Sequence, residues 1–442
     1  TAAHDVPLRV DRARRAQAGW ASLSPKDRVR RMKGVLPAIE ARAREIEDTV
    51  VSETGKPRAE AIMEVVAVVD SLRYHLRTAP GFFRPRKIST GWMVWKRAFI
   101  RREPLGVVGV LGPWNYPFLL SMTPVLAALC GGNAAVLKPS EHTPYSGLLV
   151  EDLVQHAGPP EVLAQVVVGG GEGGEALIRG GVDKVVLVGS PETGRRVLRV
   201  AAESLTPVVL ELGGKDPAIV LADADLGRAA RGVVWGAFAN AGQSCVAVER
   251  VYVVEEVYDA FLREVLNQVR ALRVGSGPEV EVGPLTTTDE LHRVEGQLEE
   301  AVAAGAVVIL GGDRTDPAAN VLEPTVLTEV PPDARILREE TFGPLLPLVR
   351  VRDGAEAVDR ANDLPFGLSG SVWTGDRKGG IALARRLRAG AVCVNEVMVH
   401  FGIPGLAFGG VGESGFGRTH GEDGLRELTR TKSILEDRLG LQ

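Results

Sequence analysis

The chain has 442 residues, 45% of them hydrophobic and 24% charged, with a formal net charge of −4. That length predicts two or three domains with sizeable cores, and the charge offers no field toward nucleic acid or an acidic membrane as partner. Cys130, Cys245 and Cys393 are the three cysteines, too few for a disulfide framework and suited to a reducing, cytoplasmic setting.

The opening residues carry no apolar core of signal-peptide length. Residues 11–80 are charged and Ala-rich at helical spacing, which predicts two or three amphipathic helices. The stretch 87–104, KISTGWMVWKRAFIRREP, alternates and reads as an extended strand. No charged residue stands between Glu103 and Lys138, but Pro113, Pro117, Pro124 and Gly131-Gly132 break the run. A buried strand–loop–helix–strand unit fits it better than a membrane span.

From Leu105 the pattern is αβ alternation. The runs GVVGVLG (106–112), AAVLK (134–138), QVVV (165–168), KVVLVG (184–189) and PVVLEL (207–212) predict strands buried on both faces of a parallel sheet. A second alternating block follows GGK (213–215), with a helix through FANAG capped by Gly242. The tail LTRTKSILEDR alternates again and is expected to pair near residue 95. The fold class is therefore α/β: a doubly wound parallel-sheet dinucleotide-binding domain (1–86 and 105–212), a second α/β catalytic domain (213–420), and a small β oligomerisation element (87–104 and 421–442).

Several turns could carry chemistry. GSPETG (189–194) opens a helix after a strand, where backbone N–H groups favour a phosphate, although a plain turn reads the same way. KPSEHTP (138–144) could clamp a ribose diol between Lys138 and Glu141, or be a surface turn. Cys130 and Cys393 lie in apolar helix and strand contexts and read as core. Cys245 follows Gly242, Gln243 and Ser244, where a substrate could approach a thiol. Glu211 ends a buried apolar strand, a costly position unless the carboxylate is paired or functional. Asn115 sits in the proline-fixed loop GPWNYP at the sheet edge where open α/β folds bind ligands. Base, amide donor and thiol together make a catalytic set.

These residues resemble the aldehyde dehydrogenase superfamily. GPWNYP, KPSEHTP, GSPETG, LELGGKDP, FANAGQSC, EETFGP (339–344) and FGGVGESGFGR (408–418) stand in that family's order, with 34 residues from Glu211 to Cys245. The ending FGGVGESG is more similar to the compact class-3 branch than to the longer tetrameric one.

The resemblance implies that Cys245 attacks an aldehyde, Asn115 holds the oxyanion, and Glu211 activates water to hydrolyse a thioester. It implies a cofactor site of Lys138, Ser140, Glu141, Gly189, Ser190, Leu212, Trp114, Glu340 and Phe342. Phe408, with Phe238 and Ser244, is expected in the substrate pocket. NAD is the expected cofactor, with NADP tolerated and no metal, because Glu141 should repel a 2′-phosphate. Pro191–Thr193, Ala407 and Gly412 depart from the family pattern, away from the reacting residues.

The rivals are a CoA-acylating aldehyde dehydrogenase, which has no use for the hydrolytic base Glu211, and a non-redox cysteine hydrolase using His400. The apolar loop 396–406 favours an uncharged aliphatic or aromatic aldehyde. The β element, with its open edges, predicts a homodimer or a dimer of dimers.

Overall fold

The computed structural model describes residues 1–155, 162–277, 279–316 and 319–440. Residues 156–161 of the first predicted unit, 278 and 317–318 of the second, and 441–442 of the β element lie outside the described residues.

The apolar runs after Leu105 form a six-stranded sheet. Its order is Gly415–Phe416, Val208–Glu211, Lys184–Val188, Val107–Leu111, Ala134–Lys138 and Ala164–Val166. The last five are parallel, in register from Val108 to Ala135 on one side and to Lys184 on the other. Val107–Leu111 and Ala134–Lys138 are buried throughout, because helices cover both faces. One of these helices, Pro117–Cys130, has every residue buried except Pro124. It packs on the long helix Arg58–Phe82, whose Glu64 carboxylate accepts the first-turn N–H groups of Phe118 (3.1 Å) and Leu119 (3.0 Å). A carboxylate there satisfies orphan donors and complements the helix dipole.

A second, seven-stranded sheet follows Gly213-Gly214. It runs Val307–Leu310, Thr325–Thr328, Leu345–Val351, Arg250–Val254, Pro217–Val220, Ser371–Trp373 and Cys393–Val394, antiparallel only at its first pair. Each sheet has its own apolar core.

The tail strand Thr429–Asp437 pairs antiparallel with Lys96–Pro104 along its whole length, Thr429 opposite Pro104 and Asp437 opposite Lys96. The stretch 87–104 is a hairpin rather than one strand. Arg86–Ile88 folds back on Lys96–Pro104 through a turn in which the Met93 N–H donates to Thr90 O at 3.1 Å.

A second difference matters for the site. Gly415–Phe416 follows the second sheet in sequence but returns to pair antiparallel with Val208–Glu211, placing Gly415 opposite Glu211. Gly415 has φ 103, and a Cβ there would stand 2.0 Å from Leu210 O, so only glycine permits this approach.

Candidate active site

Glu211, Asn115 and Cys245 come from three different segments between the two sheets. The helix Leu226–Phe238 stops four residues before Gly242; its C-cap is Ala239. Asn240 and Ala241 then adopt left-handed φ of 53 and 54, and Gly242 follows at φ 74. Gly242 is thus the end of a strained turn and not the helix cap expected from sequence. A Cβ on it would lie 2.4 Å from Gly343 O, which is why glycine stands there. The turn delivers Cys245 partly exposed, whereas Cys130 and Cys393 are buried; all three are free.

Asn115 is buried, and its amide Nδ2 donates to Gln243 O at 3.0 Å. That contact ties the GPWNYP loop to the cysteine turn, two residues before Cys245. Ser244 is buried and pairs with the Tyr116 hydroxyl.

Glu211 is 5% exposed. Its Oε1 accepts from Thr419 Oγ1 (3.0 Å), and Thr419 Oγ1 lies 3.1 Å from His420 Nδ1. Its Oε2 is buried without a hydrogen-bond partner. Burial pushes the Glu211 carboxyl up to about 8, against the opposing pull of Thr419 and Arg418. The Cys245 thiol is raised too, first by burial and then by the carboxylates Glu340, Glu211 and Asp216, while its own backbone N–H pulls the other way. At neutral pH the resting sulfur is a thiol that needs a base to become a nucleophile.

Glu211 and Cys245 both open onto one apolar cavity of about 750 Å³, counting its mouth. Leu120, Ala127, Val186, Val209, Phe401 and Phe408 form much of its wall. Phe408 stands edge-on to Phe401 with ring centroids 4.9 Å apart. Arg418 also reaches the wall, but its Nη1 already donates to the carbonyls of Gly410 (3.0 Å) and Gly417 (2.6 Å). Phe238 does not line this cavity; it is buried in the core of the second sheet. His400 Nδ1 lies 3.3 Å from Cys393 Sγ, and its ring stacks on Phe408 with centroids 5.7 Å apart.

The residues read from sequence as cofactor contacts gather near the same switch between sheets. Lys138 Nζ meets Glu141 Oε2 at 2.9 Å just past the end of its strand. The Ser140 hydroxyl accepts the His142 N–H (3.2 Å) and shapes that turn. Ser190 caps the helix Pro191–Ala202, its Oγ accepting the Thr193 N–H (3.2 Å). The Gly189 N–H donates to the backbone carbonyl of Glu211 at 3.0 Å, so this turn is tied to the end of the strand that carries the buried carboxylate. Leu212 lines the cavity next to Glu211. Glu340 Oε1 accepts from Gly214 N–H (3.1 Å), and burial, reinforced by Glu249, raises its carboxyl to about 8. Trp114 and Phe342 meet edge-to-face at 5.5 Å, one from each sheet's loops. A paired Lys–Glu at a strand end, a helix N-terminus and a second carboxylate across the cleft fit the ribose and phosphate groups of a dinucleotide.

The model of the aldehyde dehydrogenase family matches residues 1–434. The chain belongs to that family. It is 41% identical over 436 residues to 4,4'-diapolycopene aldehyde oxidase of Methylomonas sp, covering 98% of this chain and 82% of that protein. An NAD-dependent aldehyde dehydrogenase from Sinorhizobium meliloti superposes with TM-score 0.96 at 34% identity, over 100% of this chain and 88% of the other. Succinate-semialdehyde dehydrogenase from Burkholderia pseudomallei does so with TM-score 0.94 at 32% identity, over 98% and 90%. As an aldehyde dehydrogenase, the protein is an NAD(P)-dependent oxidoreductase acting on aldehydes. The described residues hold no cluster of His, Cys, Asp or Glu able to bind a metal ion. No helix among them is long and apolar enough to cross a membrane.

Sequence reading passed over Thr419, His420, His75 and Lys56. Thr419 and His420 directly follow the FGGVGESGFGR motif and needed only the return of Gly415–Phe416 to reach Glu211. His75 and Ser71 are one helical turn apart on the buried face of Arg58–Phe82, polar residues, like Glu64, in a largely apolar stripe.

Proposed function

We propose that this aldehyde dehydrogenase oxidises an uncharged, apolar aldehyde to its acid by the following division of labour. The Cys245 thiol gives its proton to solvent water, the sulfur attacks the carbonyl carbon, and the carbonyl oxygen takes the negative charge. The Asn115 amide and the Cys245 backbone N–H hold that oxyanion; one such donor is worth roughly 3–4 kcal/mol. The chemistry a bound nicotinamide supplies is acceptance of the aldehyde hydrogen with its electron pair. Glu211 then removes a proton from water attacking the Cys245 thioester, the acid leaves, and the sulfur is freed.

The observation that carries this reading is the juxtaposition of Glu211, with one unpartnered buried oxygen, and Cys245 on a single apolar cavity. A CoA-acylating enzyme must keep water from its thioester, and such a carboxylate would work against it. Among the described residues no histidine hydrogen-bonds Cys245, and His400 Nδ1 faces Cys393 instead, which weighs against a cysteine-hydrolase reading.

In this reading Lys138 and Glu141 hold the adenosine ribose, with Ser140 shaping their turn. Gly189 and Ser190 serve the pyrophosphate, Glu340 serves the nicotinamide ribose, and Leu212, Trp114 and Phe342 bracket the ring. Glu141 favours NAD over NADP. Phe408 and its neighbours contact the substrate chain. The division into a dinucleotide-binding unit, a catalytic unit and a three-stranded oligomerisation arm belongs to the same proposal. So does a cytoplasmic homodimer or dimer of dimers; the free cysteines and the open outer strands of the arm support it. Light scattering at micromolar concentration tests the assembly, and a monomer would overturn it.

Steady-state rates on a panel of aldehydes with NAD and NADP test the substrate class. Long aliphatic and aromatic aldehydes should exceed succinic semialdehyde in kcat/KM, because Arg418 is engaged by backbone carbonyls. A clear preference for the carboxylated substrate would refute the apolar assignment.

A further inference from the structure

Lys56 is buried far from any surface its charge could serve: its side chain is 2% exposed and that of its partner Glu64 is 1%. Its ammonium has three N–H donors, and three directions are taken. One goes to Glu64 Oε1 (2.7 Å), one to the backbone carbonyl of Asn115 (2.6 Å), and the Tyr116 ring centroid lies 4.2 Å from Nζ. Glu64 turns its other oxygen to the Phe118 and Leu119 N–H groups, at the start of the helix that the Asn115 loop feeds.

A second strut comes from the nucleophile side. Asn240 Nδ2 donates both to Asn115 O (3.0 Å) and to Gln243 O (3.1 Å), and Asn115 Nδ2 donates to that same Gln243 O (3.0 Å). The left-handed backbone of Asn240 is held by its N–H donating to Glu60 Oε1 at 2.7 Å. Glu60 and Glu64 are one turn apart on the helix Arg58–Phe82, and Lys56 lies just before it. One short segment therefore grips both the loop that carries the amide and the turn that carries the thiol.

A buried ion pair is a poor device for stability alone, since desolvation offsets much of its attraction. It is a good device for fixing one geometry, because an ammonium–carbonyl contact in a dry interior is strong and directional. We infer that Lys56 is a positioning residue for the oxyanion donor: it sets the backbone of Asn115, and hence the amide, against Cys245. The inference rests on the assignment of Asn115 to the oxyanion.

The test is a double-mutant cycle between Lys56→Met and Asn115→Ala, read as kcat/KM for aldehyde, with NAD affinity measured by tryptophan fluorescence. Because misplacing a catalytic group by about 1 Å lowers rates about 100-fold, Lys56→Met should lower kcat/KM by about 30–100-fold and leave NAD affinity within about twofold. In the Asn115→Ala background the same change should lower it by less than about threefold, since the amide it positions is gone. Equal losses in both backgrounds would overturn the inference, as would a Lys56→Met enzyme at the parent rate. Asn115→Ala at the parent rate would remove the oxyanion assignment itself, and is seen in a different variant. Should Lys56→Met fail to fold, Lys56→Met with Glu64→Gln removes the pair without leaving a buried charge, and the same cycle is run on it.

Discussion

Replacing Glu211 by Gln isolates the hydrolytic half of the reaction. Burial raises the Glu211 carboxyl to about 8, so about one molecule in ten carries the ionised base at pH 7 and about nine in ten at pH 9. Decay of a preformed Cys245 thioester should therefore quicken about tenfold between those values. Cys245 is acylated in that experiment and does not titrate, and comparison with the Gln variant separates Glu211 from Glu340, whose carboxyl is also raised to about 8. The Gln variant should give one turnover of NADH, then a thioester that decays slowly and without the alkaline rise. Stopped-flow acylation followed by a pH jump, with the acyl-enzyme counted by mass spectrometry, measures both.

The same shift has a sign for stability. A carboxyl whose folded pKa is raised binds its proton more tightly in the fold, so stability falls as pH climbs from the ordinary carboxylate range through about 8. By pH 9 the ionised side chain costs on the order of 4–5 kcal/mol, and Glu211→Gln should melt higher than the parent at pH 9 while losing turnover. A pH-independent thioester decay in the parent, or a Gln variant that turns over at the parent rate, would refute the role given to this carboxylate. A variant less stable than the parent at pH 9 would refute the burial argument.

Thr419→Val removes the hydroxyl that holds Glu211 Oε1, and so removes one of the interactions opposing the upward shift. Its thioester decay at pH 8 should fall about 3–10-fold and its alkaline limb should move to higher pH; an unmoved limb would contradict the contact. Glu141→Gln removes the charge facing a 2′-phosphate and should raise kcat/KM with NADP relative to NAD, measured with one aldehyde at fixed concentration. Glu340→Gln removes the carboxylate that ranks next to burial in raising the Cys245 thiol. Iodoacetamide should then label Cys245 faster than in the parent at pH 8–9, in the absence of cofactor; slower labelling would show that the charge acts elsewhere.

The parallel sheets were legible because strands buried on both faces must be continuous apolar runs, and GVVGVLG or KVVLVG has few other uses. Asn115, Glu211 and Cys245 were legible as exceptions: a polar group in an apolar loop, a carboxylate ending a buried strand, a thiol beside small and polar residues after a glycine. The hairpin at Thr90 was missed because its tip, Trp92 to Trp95, is as bulky and β-prone as the strands it joins. The Gly242 turn was misread because a glycine after a helical run fits a cap as well as a later left-handed turn. Gly415 was opaque for another reason. Its pairing with Glu211 spans 204 positions, and nothing local specifies such a partner.

Lys56 was hidden by the same long range, and its concealment says how this site is built. Its contacts to the Asn115 loop are to a backbone carbonyl and a ring, so no spacing rule points from ETGKP to GPWNYP. The reacting groups themselves are short of partners: Glu211 keeps an unpaired oxygen, and the Cys245 thiol is raised rather than lowered. Their unfavourable environment persists because hydrogen-bonded neighbours hold the backbone beneath them. Lys56 and Asn240 fix the loops while Thr419 fixes the carboxylate, each through hydrogen bonds that leave the reacting atoms free. Strain at a catalytic centre is stable only when its supports over-determine it. The residues that do so are therefore the ones least marked in sequence, because what matters in them is a donor at one place in space.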